Sequence, residues 1–577
     1  MVKIVSRPTA AFEGDSDLPV WLQKIYASRQ VQNSSEIDQR LANLHPPVLL
    51  SGMAATVSLL AKALEQQKSI LIVGDYDADG ATSTALACKA LRNMGAMNVR
   101  YLLPNRFKDG YGLSPGIVQR AHQQYAPNII ITVDNGISSC EGVDVANALG
   151  IQVLVTDHHL PGEQLPEAAA IVNPNLSDDP FPSKALAGVG VIFYVMLGLR
   201  QHLEQKNWFV QQGIVKPNMA DLLDLVALGT VADVVTLDQN NRILVEQGLR
   251  RIRAGFCCEG IKALMKITGR NPRLLKSTDL GFSIAPRINA AGRLDSMSLG
   301  VECLLSEQKE EAEDYARQLD TMNAERRLIE SDMRDQAIAQ VEGWLSGHHD
   351  GKLPVAICLQ QSDWHEGVLG IVASRLKDQL HRPVIAFGLS GEETLKGSAR
   401  SIPGLHIRDV LFAVATRHGE LINQFGGHAM AAGLTIPREK FHPFTTAFIE
   451  EVSTQLGEQA QDKTITTDGS LATELIALET AEVLHFAGPW GQGFPAPVFD
   501  DCFRVEACRN LRGGHLRMKV KPLSSEDEFE AIYFSPDEDF RAAIEHADQF
   551  RFVYSLDINE YRNKRSLQLV IKHAQST

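Results

Sequence analysis

Four short apolar segments, each leading to an acidic residue, constrain the fold of this chain more than any other feature. The segments are residues 70–73, 128–133, 153–156 and 225–232, and they lead to Asp75, Asp134, Asp157 and Asp233 respectively. Each gap between segments is long enough for a crossover helix, which predicts a doubly wound parallel sheet. The carboxyl ends of parallel strands meet at one edge of the sheet. We therefore expect acids that are far apart in the sequence to converge on one pocket.

The first of these segments is followed by three alternating aspartates, Asp75, Asp77 and Asp79, and then by Gly80 and a helix-like stretch. Adjacent carboxylates repel one another at neutral pH. A divalent cation is the simplest way to offset that repulsion. The pattern therefore predicts metal-dependent chemistry at this end of the strand.

Two histidines follow the third segment, in the sequence Asp157-His158-His159. Imidazole suits transition metals, whereas carboxylates alone suit harder cations, so the mixture favours Mn²⁺ with Mg²⁺ as a substitute. An aspartate at a strand end often only caps the next helix, and an isolated histidine pair is more often structural. The metal hypothesis therefore depends on these groups occurring together.

The composition is that of a soluble globular protein with several domains. The chain has 577 residues, of which 44% are hydrophobic and 22% charged, and no stretch reaches the roughly 18 apolar residues of a membrane span. No secretory signal is evident, and the eight cysteines include no C-x-x-C pair. We predict reduced cysteines and a cytoplasmic location. The net charge of −14 argues against nucleic-acid binding over the whole surface but not against a local basic groove.

The pattern along the chain predicts five regions. They are an N-terminal extension (1–50) packed on the first domain, a parallel-sheet domain (51–297), a long exposed connecting helix (298–350), a smaller α/β domain (351–457) and a small β-barrel of the oligonucleotide-binding type (458–577). The polar residues 347–351 read as a turn at the end of the connecting helix. Short alternating strands with glycine turns favour the barrel.

Several motifs combine small residues with cations and suit an anionic ligand. They contribute Arg287, Asn289 and Arg293; Ser398 and Arg400; Gly426, Gly427 and His428; and, beside aromatic residues, Arg106 and Tyr111. Small residues let backbone N–H groups approach a phosphate, and arginine offers a bidentate fork. Each motif alone is weak, because a glycine pair is usually only a turn and aromatic rings usually pack in a core. Together with a metal cluster, they indicate a phosphate-bearing polymer as substrate.

These motifs resemble the signatures of the DHH phosphoesterase superfamily. The matching segments are Asp75-x-Asp77-x-Asp79-Gly80, Asp134-Asn135-Gly136, Asp157-His158-His159, Val231-Ala232-Asp233 and the glycine-rich residues 426–433 of a DHH-associated domain. Residues 286–293 and 488–495 are similar to those of the branch that comprises bacterial single-strand-specific 5′→3′ DNA exonucleases. The resemblance implies an α/β DHH domain, joined by a long helix to a smaller α/β DHH-associated domain, and a C-terminal barrel of the oligonucleotide-binding type.

The same resemblance implies a hydrolase with two Mn²⁺ or Mg²⁺ ions and assigns roles to the motif residues. The expected ligands are Asp77, Asp79, Asp134 as a bridge, His158 and Asp233. His159 would act on the scissile phosphate as a proton donor or charge stabiliser, with Asp157 orienting the histidines. Some relatives have a histidine where this chain has Val73, and Asp75 would supply or orient the missing ligand. The expected substrate-binding residues are Arg106, Tyr111, Arg287, Asn289, Arg293, Ser398, Arg400, Gly426, Gly427 and His428.

The resemblance implies a monomeric enzyme of DNA repair and recombination that releases 5′-mononucleotides from single-stranded DNA. Its implied partners are single-strand DNA-binding protein and a RecQ-type helicase. The resemblance implies no association with a membrane. Two alternatives remain open. One is a DHH-type phosphodiesterase for short oligoribonucleotides or cyclic dinucleotides, whose members are shorter and lack the barrel. The other is a non-catalytic DNA-binding scaffold, although such proteins tend to lose the metal acids that this chain keeps.

Overall fold

The computed structural model describes residues 2–14, 17–347, 353–457, 464–561 and 564–576. The chain divides into two compact units. The larger comprises Ile4–Asn289, Met297–Ala316 and Thr464–Thr577, and the smaller comprises Met1–Lys3, Ala290–Ser296 and Arg317–Lys463. The turn predicted at residues 347–351 lies outside the described residues, apart from Gly347.

The N-terminal segment contains strand β1 (Lys3–Ser6) and helix α1 (Val20–Ala27). It contacts two regions of the larger unit. The buried guanidinium of Arg29 pairs with Asp468 at 2.7 Å, while the backbone carbonyl of Gln39 accepts a hydrogen bond from the Gln247 side chain at 2.7 Å. The extension therefore packs on the first domain, as we predicted, and also on the barrel region, which we did not predict.

The first half of residues 51–297 contains a five-stranded parallel sheet. In chain order its elements are α2 (Met53–Glu65), β2 (Ile70–Val73), α3 (Ala78–Asn93), β3 (Val99–Leu102), α4 (Pro115–Tyr125), β4 (Ile129–Val133), α5 (Cys140–Ala148), β5 (Gln152–Thr156) and β6 (Ala170–Val172). The spatial order is β3-β2-β4-β5-β6, and every pair is parallel. All residues of β2 and β4 are buried, as expected for Ile- and Val-rich strands covered on both faces. The predicted α/β fold is confirmed.

The strand order reverses at β2. The chain passes from β2 to β3 on one side and then crosses to β4 on the other side of β2. Such a switch point opens a crevice beyond the carboxyl ends of the two strands, where α/β proteins bind ligands. The aspartate triplet follows β2 and Asp134 follows β4. The sheet therefore brings these acids to its natural ligand site.

The fourth apolar segment is a helix, and our prediction of a strand there was wrong. The second half of the region is entirely helical, with α6 (Gly188–Gln205), α7 (Trp208–Gln212), α8 (Leu223–Ala232), α9 (Gln239–Arg253), α10 (Glu259–Thr268), α11 (Ser277–Asp279), a π-turn (Leu280–Ile284), α12 (Ala285–Leu294) and α13 (Ser298–Leu305). Eight residues of α8 are buried, so its sequence is apolar on every side and shows no helical period. A run of this length, rich in Leu and Ala, fits a buried helix better than a strand.

Helix α14 (Lys309–Gly347) is long, and residues 306–308 separate it from α13, as the sequence predicts. It begins in the larger unit and continues into the smaller one. The other elements of the smaller unit are β7 (Ile357–Gln360), α15 (Leu369–Leu380), β8 (Val384–Ser390), β9 (Thr394–Arg400), α16 (Ile407–Arg417), β10 (Gln424–Gly427), β11 (Ala431–Pro437) and α17 (Phe441–Leu456). They form a mixed sheet of order β10-β11-β9-β8-β7.

The C-terminal region contains β12 (Thr464–Thr467), α18 (Leu478–Phe486), β13 (Phe499–Asn510), β14 (Leu516–Pro522), β15 (Phe529–Tyr533), α19 (Glu538–Ala543), β16 (Gln549–Tyr561) and β17 (Lys564–Ser576). Strands β13-β14-β15-β17-β16 close into a barrel, filled by buried rings such as Phe503 and Phe552. The order and the parallel β15–β17 pair are those of an oligonucleotide-binding fold, so this prediction is confirmed. Among the described residues, no single helix is long and apolar enough to cross a membrane.

Candidate active site

Acidic and imidazole side chains from distant parts of the chain meet at the sheet edge in three overlapping groups. Possible ligand atoms lie within 4.8 Å of one another in each group, and the groups are Asp79, His158 and Asp233; Asp75, Asp77 and Asp134; and Asp134, His158 and His159. The third group joins the other two. The convergence of residues 75 to 233 that the sequence predicts is thus present, although Asp233 arrives from the end of helix α8 rather than from a strand.

The carboxylate of Asp79 is tied to the start of helix α6. It is buried and accepts hydrogen bonds from the backbone N–H groups of Gly188 at 2.6 Å and Val189 at 2.9 Å. Burial, with the nearby carboxylate of Asp77, raises the pKa of Asp79 to about 7. The positive end of the dipole of helix α6 stabilises the charged carboxylate and partly offsets this rise in pKa. These bonds fix the direction in which the carboxylate faces the other acids.

Asp77 begins helix α3, where its carboxylate accepts a hydrogen bond from the Gly80 N–H at 3.0 Å. This is the ordinary capping role of an aspartate before a helix. The bond uses one carboxylate oxygen and leaves the other for a ligand. Capping and metal binding are therefore compatible at this residue.

Asp134 and His158 face each other without forming a hydrogen bond. Nε2 of His158 lies 3.1 Å from Oδ1 of Asp134 and 3.5 Å from Oδ2 of Asp233. Oδ1 of Asp134, Nε2 of His158 and Oδ1 of Asp75 are buried and have no hydrogen-bond partner among the described residues. Burial, together with the charge of His159, lowers the pKa of His158 to about 4, so its ring is neutral and can offer a lone pair.

Unpaired buried polar atoms are rare in proteins because each carries a desolvation cost. Here three of them, on Asp75, Asp134 and His158, are grouped among further carboxylates. Burial and neighbouring acids raise the pKa of Asp134 well above its ordinary range. A divalent cation would satisfy the unpaired atoms and remove the repulsion. Carboxylate oxygens with one imidazole fit Mn²⁺ or Mg²⁺.

His159 also belongs to a hydrogen-bonded chain at the same edge. Its Nδ1 lies 2.7 Å from Oδ1 of Asp157. The Asp157 side chain is fully buried, and its Oδ2 accepts a hydrogen bond from the Ile137 N–H at 2.9 Å. Burial would lower the pKa of His159, but the bond to Asp157 and its charge outweigh that effect and raise it. Burial would raise the pKa of Asp157, but the bond from His159 outweighs that effect and lowers it. The pair therefore keeps a proton on His159.

Three asparagines that sequence reasoning did not assign hold the strand ends in place. Nδ2 of Asn173 donates to the His159 carbonyl at 2.9 Å, and Nδ2 of Asn175 donates to the His158 carbonyl at 2.5 Å. Nδ2 of Asn135 donates to the carbonyl of Val73 at 3.1 Å. A signal was available: Asn135 lies within a matched motif, and Asn173 follows the next apolar strand at the same edge.

The predicted substrate residues of the larger unit lie around the triplet. The guanidinium of Arg106 stacks 3.9 Å above the ring of Tyr76, and the Tyr111 hydroxyl lies 3.3 Å from the Asp134 carbonyl. Oδ1 of Asn289 accepts the Ala78 N–H at 2.8 Å, inside the triplet. That oxygen is therefore committed to positioning the aspartate turn. Nη1 of Arg287 donates to the Ser283 carbonyl at 2.5 Å.

The smaller unit contains the other predicted substrate residues, of which Arg293, Ser398 and Arg400 lie beside residues 367–370. Nη1 of Arg293 donates to the Gly367 carbonyl at 3.1 Å. Nη1 of Arg400 donates to Oγ of Ser398 at 3.0 Å, and a Cβ at Gly370 would collide with Nη2 of Arg400. Gly426 and Gly427 belong to strand β10, and His428 is exposed in the turn that follows. Burial lowers the pKa of Arg400, and no acid pairs with it among the described residues.

The metal affinity of the site should depend steeply on pH. The pKa of Asp79 is about 7 and those of Asp75, Asp134 and Asp233 are also raised, mainly by burial. The metal-free fold therefore holds protons that the unfolded chain releases above about pH 4, so its stability falls as pH rises from about 4 through 7. A cation must displace these protons.

We expect the Mn²⁺ concentration for half-maximal binding to rise about tenfold for each pH unit below 7, if one proton leaves per ion. Calorimetric titration of the metal-free chain at pH 6, 7 and 8 measures this dependence. A midpoint that stays constant over that range would contradict the protonation states given above.

Helix α6 approaches Asp134 so closely that only glycine fits at its first residue. A Cβ at Gly188 would stand 2.5 Å from Cβ of Asp134. We expect Gly188→Ala to lower activity by about 100-fold, because a displacement of roughly 1 Å at a catalytic group can cost that much. Gly343→Ala is the matched control, since a Cβ there meets nothing within 4 Å. Equal activity of both variants would show that the contact does not position Asp134.

The fold and the site together define a metal-dependent phosphoesterase of the DHH class. Residues 69–230 match the DHH family N-terminal domain, residues 350–454 the DHHA1 domain and residues 467–573 the RecJ OB domain. The chain is 50% identical over 573 residues to the single-stranded-DNA-specific exonuclease RecJ of Dickeya dadantii, covering 98% of each. It is 48% identical to that of Escherichia coli strain K12, covering 96% of each.

A crystal structure of RecJ from Thermus thermophilus in complex with Mn²⁺ superposes with a TM-score of 0.80 at 26% identity, covering 100% of this chain and 79% of that one. The same protein with Mg²⁺ gives a TM-score of 0.74 at 25% identity, covering 100% and 78%. The chain belongs to the RecJ family. The DHH resemblance identified in the sequence is thus confirmed.

Proposed function

We propose that this chain is a divalent-metal-dependent exonuclease that degrades single-stranded DNA from the 5′ end and releases 5′-mononucleotides. Its family and the near-complete coverage of its relatives support the activity. The observation that carries the proposal is the group of buried, unpaired atoms on Asp75, Asp134 and His158. We assign catalysis to residues 51–297, substrate binding to 351–457 and further strand binding to 458–577, with 298–350 as the connecting helix.

The cofactor is a pair of Mn²⁺ or Mg²⁺ ions. Asp77, Asp79, Asp134, His158 and Asp233 would hold these ions, and Asp134 belongs both to the group with His158 and His159 and to the group with Asp75 and Asp77. Asp75 takes the place of the histidine that Val73 does not supply, a role supported by its grouping with Asp77 and Asp134. When bound, two such ions lower the pKa of a water molecule, clamp the phosphate and stabilise the leaving oxygen.

His159 supplies the proton in this scheme. Its Nδ1 is held by Asp157 at 2.7 Å, and its Nε2 would protonate the O3′ of the departing nucleotide. Asp157 keeps the ring oriented and stabilises its positive charge, as a carboxylate does for a catalytic imidazole. Tyr111 lies beside this ring, with its hydroxyl 3.2 Å from the imidazole nitrogens, and limits the orientations that His159 can take.

Phosphate binding is assigned to the cations and small residues of the predicted set. Arg400 is the strongest candidate, because it is half-buried, bonded to Ser398 and without an acidic partner among the described residues. A desolvated cation in that position is stabilised by an anionic ligand. We place Arg293, Gly426, Gly427 and His428 around the same phosphates, and Arg106, Arg287 and Asn289 on the metal side.

The cellular setting follows from the substrate. We propose that the enzyme acts as a monomer in the cytoplasm, where its eight free cysteines remain reduced. Single-stranded DNA in cells is coated by single-strand DNA-binding protein and generated by helicases. We therefore propose single-strand DNA-binding protein and a RecQ-type helicase as partners.

Degradation of labelled strands tests the function directly. Single-stranded DNA, single-stranded RNA and blunt duplex DNA, each labelled at the 5′ end, are incubated with the chelated protein before and after Mn²⁺ is added. We expect 5′-mononucleotides from single-stranded DNA only, and only with the metal. Products from short oligoribonucleotides or cyclic dinucleotides alone would instead support the phosphodiesterase alternative, and binding without cleavage would support a scaffold.

A further inference from the structure

A groove in the larger unit lies between helix α9 and the barrel strands β16 and β17. It consists of two cavities of about 440 and 490 Å³ that share Glu246 and Arg253. None of the metal-centre residues lines it. Barrels of this fold usually bind oligonucleotides across their second and third strands, which are β14 and β15 here. The groove is therefore distinct from both sites.

The groove is positively charged in a chain whose net charge is −14. Its lining includes the cations Arg250, Arg253, Arg273, Lys276 and Lys572 but only the acids Glu246 and Asp557. Among the described residues, neither Arg273 nor Lys572 forms a salt bridge. Lys276 pairs with Asp557 at 2.6 Å, and Arg250 and Arg253 share Glu246 at 2.8 and 3.2 Å. Unpaired cations in a confined groove attract a polyanion.

Exposed aromatic rings stand among these cations. Phe282, Phe486 and Phe534 line the groove with exposed fractions of 78%, 49% and 52%. The guanidinium of Arg253 lies 5.4 Å from the ring centre of Phe486. Large exposed rings between cations are typical of surfaces on which the bases of a single strand stack.

His485 adds an unsatisfied hydrogen-bonding group. Both of its ring nitrogens are buried and have no hydrogen-bond partner among the described residues. Burial, with the positive charges of Lys276 and Arg253, lowers its pKa to about 4. The neutral ring therefore offers one donor and one acceptor, which suits the edge of a nucleic-acid base.

We propose that this groove binds the part of a single DNA strand that lies beyond the nucleotides held at the metal centre. The bases stack on Phe282, Phe486 and Phe534, and the cations follow the phosphates. The groove residue Phe282 follows Gly281, where a Cβ would stand 3.2 Å from Cγ1 of Val231, in the helix that leads to Asp233. This inference rests on the proposed function and adds a requirement for strand length.

The test compares the Phe486→Ala/Arg273→Ala variant with the parent on two strand lengths. The long strand has about 40 nucleotides, well above the usual site size of a barrel of about 4–16 nucleotides, and the short strand has about six, near its lower end. On the long strand we expect KM to rise about fivefold or more, because the variant loses the stacking of at least one base. We expect kcat to stay unchanged. The short strand should show parent values. The salt dependence of long-strand binding should weaken by about 0.7 per lost phosphate contact.

The control is Val20→Ala/Lys24→Ala, which removes an exposed apolar side chain and an exposed cation of the N-terminal extension, outside the groove. Lys572→Ala, made separately, repeats the salt measurement without altering a ring. A groove variant with parent KM on the long strand overturns the proposal, and weakened binding of an acidic peptide by that variant would then assign the groove to a protein partner. If the parent degrades no single strand, the proposed function fails, whereas an active parent with unaffected variants rejects the groove alone.

Discussion

Asp134→Asn abolishes cleavage of single-stranded DNA while the chain remains folded. The carboxylate belongs to two groups of possible metal ligands, one with His158 and His159 and one with Asp75 and Asp77, so its loss would remove a proposed ligand from both groups. Loss of several kcal/mol of transition-state stabilisation corresponds to a fall of about 1,000-fold or more in rate. Asparagine suits this position because the φ of Asp134 is +62°, and asparagine tolerates this left-handed conformation.

The measurement is the initial rate of nucleotide release from a labelled strand, together with the melting temperature. Removing one of several mutually repelling charges should leave the metal-free melting temperature equal to or above that of the parent. Binding of single strands should persist, because the basic residues are unchanged. Asp144→Asn, at an exposed position of helix α5, is the control. A parent-like rate for Asp134→Asn would remove the metal centre from the mechanism.

Removal of divalent cations should reduce activity to background, and addition of Mn²⁺ or Mg²⁺ should restore it. Without cations, the water nucleophile is not activated and the phosphate and leaving oxygen lose the stabilisation that a metal ion provides. Mn²⁺ should also raise the melting temperature, since a ligand at about 100 times its Kd stabilises a fold by about 2.7 kcal/mol per site. The rise should exceed that produced by equal ionic strength of a monovalent salt.

Chelation followed by stepwise addition of Mn²⁺, with activity and melting temperature recorded on the same samples, measures both effects. The Asp134→Asn variant provides the comparison, because its thermal shift should be smaller than that of the parent. Full activity in excess chelator, with the protein verified to be metal-free by elemental analysis, would contradict a metal-dependent mechanism.

Much of the site could be predicted because its signals are local. The apolar strands at 70–73 and 129–133 are short, rich in β-branched residues and buried on both faces, which identifies them as parallel strands. The segment before Asp233 misled us, since an entirely buried helix and a buried strand are both continuously apolar. The acid nevertheless reaches the same site, because helix α8 ends at the edge where the strands end.

The residues that hold the site together were harder to predict. Asn173 and Asn175 act on backbone carbonyls of His158 and His159, and asparagines after a strand ordinarily suggest only a turn. The link from Asp79 to Gly188 spans more than 100 positions of the chain, and no local pattern indicates it. Such contacts depend on how α3 and α6 pack, which a single sequence does not specify.

The sequence by itself determined the chemistry of this protein: which acids and imidazoles follow apolar segments, and therefore that oxygen and nitrogen ligands for divalent cations collect at one sheet edge. Only the tertiary structure decided how those groups are oriented, which atoms remain unpaired, and that a basic aromatic groove forms beside the barrel. Strand periodicity and motif spacing are properties of neighbouring residues, whereas hydrogen-bond pairing and groove formation arise between segments hundreds of positions apart.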